Sequence, residues 1–325
     1  LGAGGAAQRL AVRALRPLRR EGDAGRASLF DAPLPPPDPV GLRDLLPACE
    51  PDQALLFEPE GAAVRTVFYF PGCGSERLYG LVGAAALHLL LGRGARVVLP
   101  PPYLCCGFPA YANARAGMNG RIGLRDAILF AQIREMFSHL TFEAVAVTCG
   151  TCREALAALE AGRIFGCAVA DASRLALEAG PPLALAGDYL YHAPCHDSLD
   201  GRAAALLAGA GARVAAVPHC CSEAGTLALS RPDIAGAMRQ RKREALAEAL
   251  AGRAPAGSQG RAQAGRARGA VLLTNCPSCL TGLGRNADLG VAPRHIAVEL
   301  ARALSGDGWL ERLRGQVQAA QAVRF

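Results

Sequence analysis

One order of cysteines occurs twice along this chain, and no other feature limits its fold as tightly. The first run is Cys73, the adjacent pair Cys105 and Cys106, then the C-x-x-C of Cys149 and Cys152. The second is Cys195, the pair Cys220 and Cys221, then the C-x-x-C of Cys276 and Cys279. Ten of the twelve cysteines fall into this pattern, and core packing alone rarely repeats such an order. Disulfide frameworks belong mainly to small secreted domains that lack a sufficient core. A chain of 325 residues, 51% of them hydrophobic, has a core of its own. Reduced, metal-binding thiols are the better reading.

The surroundings of the cysteines repeat as well. Short apolar runs, bounded by Gly or Pro, precede each group: residues 65–70, 95–100 and 143–148 in the first half, and 188–192, 213–218 and 270–274 in the second. Such runs read as buried strands. Helical stretches lie between and after them, at 78–91, 121–140 and 153–162, then at 202–210, 234–250 and 297–304. Strands alternating with helices predict α/β architecture with parallel sheets. In such sheets ligands gather beyond the carboxyl ends of the strands, where all six cysteine-bearing segments fall. The expectation is two tandem, pseudo-duplicated Rossmann-like lobes: a Pro-rich, partly irregular lead-in over 1–64, a first domain over 65–187, a second over 188–310, and a tail over 311–325.

Five thiolates per half argue for iron. Structural zinc takes four ligands in a tetrahedron, and adjacent cysteines cannot both reach one small ion with good geometry. A cluster of several irons offers separate corners to neighbouring thiolates. Zinc and metal-free redox thiols remain as alternatives at this point.

These residues carry a resemblance. Y-F-P-G-C at Cys73, C-C-G at Cys105 to Gly107, C-G-T-C at Cys149 to Cys152, H-A-P-C-H around Cys195 and N-C-P-S-C ending at Cys279 resemble the cysteine-rich CCG domain. That domain occurs in tandem in heterodisulfide reductase and in the iron–sulfur subunits of glycolate, lactate and anaerobic glycerol-3-phosphate dehydrogenases. F-P-G-C-G-S-E-R-L, L-P-P-P-Y-L-C-C-G, C-C-S-E-A-G-T-L-A-L-S-R-P-D-I and C-P-S-C-L-T-G-L resemble, more narrowly, the carboxyl-terminal iron–sulfur part of large bacterial FAD-linked oxidases. The resemblance covers roughly residues 65–310. It implies a [4Fe-4S] cluster, noncubane where the motif is complete, held by the ten repeated cysteines.

The chain departs from that pattern in three places. Ser222 stands where a Gly should follow the second pair, and Gly tolerates the left-handed backbone that a close approach to a cluster needs. The second half is therefore the less secure cluster site. The gap from Cys195 to Cys220 is shorter than that from Cys73 to Cys105. The 54 residues between Cys221 and Cys276 exceed the 42 between Cys106 and Cys149. A Gly/Ala/Arg-rich stretch of 17 residues, 253–269, reads as a flexible surface insertion and accounts for the excess.

Other residues have plainer readings. Cys49 is a surface or interface thiol, and Cys167 a small core residue at a strand start. His192 and His196 flank Cys195, and His219 precedes the second pair. Each is as well explained by local packing as by a hydrogen bond to a cluster sulfur. Glu76, Arg77 and Glu223 follow clustered cysteines closely, and helix-start roles explain them as well as contacts to substrate or partner do.

Absent motifs narrow the function. The sequence shows no ferredoxin-type C-x-x-C-x-x-C, no strand-linked G-x-G-x-x-G and no flavin signature. Aromatics at 5% and a net charge of +7 without a concentrated basic stripe argue against a nucleic-acid binder. The apolar run near 80–92 is too short to span a bilayer. The chain begins at Leu1, which leaves a targeting segment or further domains upstream open. The expected function is an iron–sulfur electron-transfer module of a FAD-linked 2-hydroxyacid dehydrogenase or oxidase, without catalysis on an organic substrate by itself. FAD would sit on an upstream domain or partner subunit, and a ferredoxin-like iron–sulfur domain would be a further partner. The expected place is the cytoplasm or the inner face of the membrane, facing a quinone chain. A heterodisulfide reductase-like thiol–disulfide reductase and a structural metal-binding module are the alternatives.

Overall fold

The computed structural model describes residues 35–223, 227, 231–252 and 269–325. The anticipated insertion at 253–269, Gly269 excepted, and residues 1–34 of the lead-in lie outside the described residues. In chain order the strands are β1 (Gln53–Phe57), β2 (Arg65–Tyr69), β3 (Ala95–Leu99), β4 (Phe142–Val147), β5 (Ala168–Asp171), β6 (Gly187–Tyr191), β7 (Ala212–Ala216), β8 (Ala270–Thr274), β9 (Val291–His295) and β10 (Gln321–Arg324). The helices that matter below are α1 (Gly80–Gly92), α2 (Ala116–Met136), α3 (Gly150–Ala158), α4 (Pro232–Ala251), α5 (Pro277–Gly284) and α6 (Ile296–Ser305).

Two sheets form. The first has the order β10-β1-β3-β2-β4-β5, the second β7-β6-β8-β9. Within β3-β2-β4-β5 and β7-β6-β8-β9 every pairing is parallel, so one four-stranded topology is built twice. β1 and β10 add an antiparallel edge to the first sheet only. The protein is thus an α/β molecule of two Rossmann-like, parallel-dominated lobes.

Side chains alternate between two cores along each strand, as a pleated strand requires. Tyr69, Tyr191 and Leu273 enter one core with α1 and α6, which draws on both lobes. Phe68, Phe70, Leu190 and Leu272 enter the other, beside Phe130 and Leu246. Helix α1 is buried nearly all round, from Val82 to Leu91, because it lies between the first sheet and α6 of the other lobe. No helix among the described residues is long and apolar enough to cross a membrane.

In each sheet the chain leaves the second strand of the order to one side and returns to the other. The carboxyl end of that strand, β2 or β6, is therefore the switch point at which such sheets bind ligands. Cys73 follows β2 and Cys195 follows β6, so the single cysteine of each run stands at that point. The vicinal pairs and the C-x-x-C motifs follow the two flanking strands.

Candidate metal centre

The thiols do come together. Cys73 Sγ is 4.0 Å from Cys105 Sγ, and Cys106 Sγ is 3.4 Å from Cys152 Sγ. In the second half Cys195 Sγ is 3.7 Å from Cys220 Sγ. The sulfurs of Cys221 and Cys279 and a ring nitrogen of His192 lie within 4.8 Å of one another. The two sets also meet each other. The Cys149 thiol interacts with Cys152 on one side and with Cys276 of the other lobe on the other.

Local backbone structure explains the convergence. Cys149 is the N-cap of α3 and Cys276 the N-cap of α5, both extended at about −150° and −138° in φ. Each C-x-x-C therefore spans the first turn of a helix, where unpaired N–H groups and the positive end of the helix dipole favour thiolate. The Cys152 N–H supports Cys149, and the Cys279 N–H supports Cys276. At the vicinal pairs the N–H of Gly107 supports Cys105, and the N–H of Ser222 lies 3.4 Å from Cys220 Sγ.

A reciprocal set of contacts locks the two lobes at this point. His295 Nε2 hydrogen-bonds the Thr148 carbonyl across the lobes at 3.0 Å. Its counterpart Asp171, at the end of β5, accepts the Ser198 hydroxyl from the second lobe. The backbones run so close that a Cβ on Gly150 would stand 1.7 Å from the His196 carbonyl oxygen. In the pseudo-symmetric contact, with Gly74 in the place of His196 and Pro277 in that of Gly150, a Cβ on Gly74 would stand 3.1 Å from the Pro277 ring.

Residues 67–157 match the family model of the CCG cysteine-rich domain. Those residues hold the first run of cysteines, Cys73 to Cys152. Over 146 residues it is 30% identical to an uncharacterized iron-sulfur protein of Methanocaldococcus jannaschii, an alignment covering 43% of this chain and 27% of that protein. The chain thus spans only about a quarter of that relative's length.

The gathered cysteines alternate in acidity. Hydrogen bonds from Cys106 and Cys73 pull the Cys105 thiol down to about 2. Facing Cys105 pushes Cys106 up to about 12. Cys149 is held low by Cys152 and Cys276, and Cys221 by Cys220 and Cys279. Cys73, Cys152, Cys220, Cys276 and Cys279 are all raised by the thiolate each one faces. Thiolates this close repel, so without a cation among them only some can ionise. A cluster of positive metal corners removes that conflict and lets every cysteine ionise. Two buried polar atoms beside the second set also lack partners, His192 Nε2 and Ser222 Oγ. The donor set fits a thiolate-bound metal cluster.

The two halves differ in what surrounds this set. Gly107 has φ +83° and Ser222, its counterpart, φ +68°, so the serine occupies the left-handed conformation that a glycine would hold without strain. Beside Cys106 a cavity of about 640 Å³ opens between Phe108, Tyr111, Leu124, Asp126 and Leu159. In the second half Cys195 is itself exposed.

The remaining residues separate cleanly. Cys49 and Cys167 take no part: Cys49 donates to the Gln53 carbonyl at 3.3 Å, and Cys167 sits half-buried just before β5. His196 turns away to Glu154 at 2.6 Å, and His219 is exposed. Glu76 is buried, bonded to Arg43 at 2.5 Å and to the Tyr103 N–H at 2.8 Å. It ties the lead-in to the loop that carries Cys105. Arg77 stacks on the Tyr103 ring, 4.0 Å from its centroid. Glu223 forms a two-pronged pair with Arg285. Lys242 was not signalled by the sequence: it lies on the amphipathic α4, yet it is 1% exposed and bonded to His192 at 3.0 Å.

Proposed function

We propose that this chain is an iron–sulfur electron-transfer module, and that the ten repeated cysteines hold its clusters in two domains, 65–187 and 188–310. The observation that carries the reading is the unbroken series of thiols from Cys73 through the Cys149–Cys276 contact to Cys195. Structural zinc does not need ten thiols, or a link between two sites. When bound, the clusters supply one-electron exchange. The protein's own part is to gather the thiols, point helix N-termini and loop N–H groups at them, and exclude water from Cys149, Cys152, Cys221, Cys276 and Cys279, all buried.

The resemblance to FAD-linked oxidases extends the proposal. Electrons would come from a flavin that oxidises a 2-hydroxy acid on an upstream domain or partner subunit, with a ferredoxin-like iron–sulfur domain as a further partner. The setting would be the cytoplasm, where thiols stay reduced, or the inner face of the membrane. A flavin takes two electrons from such a substrate, and a relay must drain it one at a time. A second reading, thiol–disulfide reduction, is favoured by the cavity beside Cys106. There a disulfide would take up two electrons and two protons, given an external electron donor, and leave as two thiols.

Anaerobic purification followed by iron and acid-labile sulfide analysis is the first test, and zinc as the main metal would overturn the proposal. With the flavin domain joined, Cys105→Ser should slow dye reduction while substrate still reduces the flavin in stopped flow. Loss of flavin reduction would make the clusters structural supports. Disulfide reduction by the chain alone, with an artificial donor, would put the second reading first.

A further inference from the structure

The two halves place different residues behind their single cysteines. Three residues before Cys73 stands Phe70, packed edge-on against Phe130 of α2 with ring centroids 5.9 Å apart. Three residues before Cys195 stands His192, packed against Lys242 of α4. Both members of the second pair are 1% exposed. One lobe therefore backs its cysteines with hydrocarbon, and the other with a buried base and a buried amine.

Hydrogen bonding assigns the protons of that pair. Lys242 Nζ donates to the carbonyls of Val217 and Pro218, each at 2.9 Å, and faces His192 Nδ1 at 3.0 Å. An ammonium has three N–H groups and no acceptor, and these are three acceptors for three donors. All three donors of an ammonium are thereby used, which the geometry assigns to Lys242. With Nδ1 accepting, the ring proton sits on Nε2. That Nε2 has no nitrogen or oxygen partner, and the ring stands with the sulfurs of Cys221 and Cys279.

Resting on the iron–sulfur reading above, we infer that His192, held in one tautomer by Lys242, donates Nε2–H to the sulfur of the second-half cluster and makes that half the preferred resting place of an electron. A hydrogen bond to a cluster sulfur, and a buried positive charge behind it, stabilise added negative charge and raise the reduction potential. Phe70 and Phe130, in the equivalent places, offer neither; the first half has only the Thr151 hydroxyl, 3.0 Å from Cys149 Sγ, and the half-exposed Arg125, paired with Asp126, near Cys105. An electron handed to the first half by the reduced flavin proposed above would pass to the second across the Cys149–Cys276 contact, with no bond made or broken. Its exit lies toward Cys195, the exposed member of the series. His192 and Lys242 are positioning residues in this scheme.

The test is a redox titration followed by electron paramagnetic resonance on the full chain, purified anaerobically, with iron and sulfide measured on each sample. Wild type should show two potentials. His192→Phe, which copies the first half, and Lys242→Met should each lower the higher potential, leave the lower one in place and keep iron per chain unchanged. His192→Gln retains a side-chain N–H donor and should restore part of the shift, which also guards against a variant that fails to fold. Unchanged potentials in His192→Phe would overturn the inference. So would a loss of iron in His192→Phe that Lys242→Met does not share, since His192 would then be a ligand. A wild-type protein with no iron and sulfide would instead defeat the functional reading on which this rests.

Discussion

The two lobes share one chain path and differ in what fills the space around it. In both, a tyrosine four residues before the single cysteine reaches toward the residue before the C-x-x-C: Tyr69 toward Thr148, and Tyr191 to Asn275 at 2.9 Å. The residue two past the single cysteine bonds to that same position, as Ser75 to Thr148 at 2.7 Å and Asn275 to Asp197 at 2.8 Å. The framework that aims the thiols is thus a repeated hydrogen-bond pattern, kept although its side chains changed. Phe70 and Phe130 against His192 and Lys242, and Gly107 against Ser222, lie outside that framework. Placing the thiols and setting their surroundings are separate tasks in this fold, carried by different residues.

The largest expected effect is on metal content. Cys105→Ser and Cys220→Ser should each lose iron from their own half, the second-half site starting from the lower occupancy. Cys149→Ser, whose thiol touches both sets, should lose more than either, whereas Cys49→Ser and Cys167→Ser should lose none. Iron analysis of the five variants checks this, and equal losses throughout would end the comparison.

Next comes the contact that presses the halves together. Gly150→Ala places a Cβ where 1.7 Å separates it from a carbonyl oxygen, and Gly74→Ala meets only the Pro277 ring at 3.1 Å. Denaturant unfolding should show Gly150→Ala costing at least about 3 kcal/mol and Gly74→Ala nearer about 1.

A smaller pair of effects tests the turn after each vicinal pair. Gly107→Ser must hold φ +83° with its Cβ 2.4 Å from Asn119 Oδ1, at a cost of roughly 1–3 kcal/mol. Ser222→Gly relieves φ +68° and removes a buried, unpartnered hydroxyl. It should stabilise the protein by about 0.5–1 kcal/mol. If both substitutions destabilise equally, the two turns are not equivalent.

The last difference appears only in acid. His88 of α1 is 2% exposed, and burial, with Arg312 nearby, lowers it to about 4. The helix Ala203–Gly209, which follows Cys195 as α1 follows Cys73, has no histidine. Between the unfolded value near 6.5 and about 4 the unfolded chain binds more protons, so stability falls as pH falls through that window. The loss amounts to about 3 kcal/mol at most. His88→Gln should flatten the urea midpoint against pH over this window, and an unchanged slope would show that His88 is not the group responsible.

Much of the architecture was legible because cysteines are rare and their order repeats. The six strands leading to cysteines are β2, β3, β4, β6, β7 and β8, found within a residue of their expected starts. Of the strands without that marker, only β5 was foreseen, through Cys167 placed at a strand start. β9 escaped because Pro293 interrupts its apolar pattern. β1 and β10 come from the lead-in and the carboxyl-terminal tail and pair only with each other and with β3. Their partners are forty or more residues away or at the far end of the chain, so local pattern carries no sign of them.

The order and spacing of the cysteines, with the strands before them, determined on their own that two α/β lobes would each present five thiols at one sheet edge. Such information is local: a strand, a turn and a helix start are written within a few neighbouring residues. That the two sets join through Cys149 and Cys276, and that an outwardly ordinary lysine on α4 is buried behind His192, was decided only by tertiary structure. Both follow from how one lobe docks on the other and how a helix rotates on its sheet, and those are set by packing summed over the whole core rather than by any single stretch of sequence.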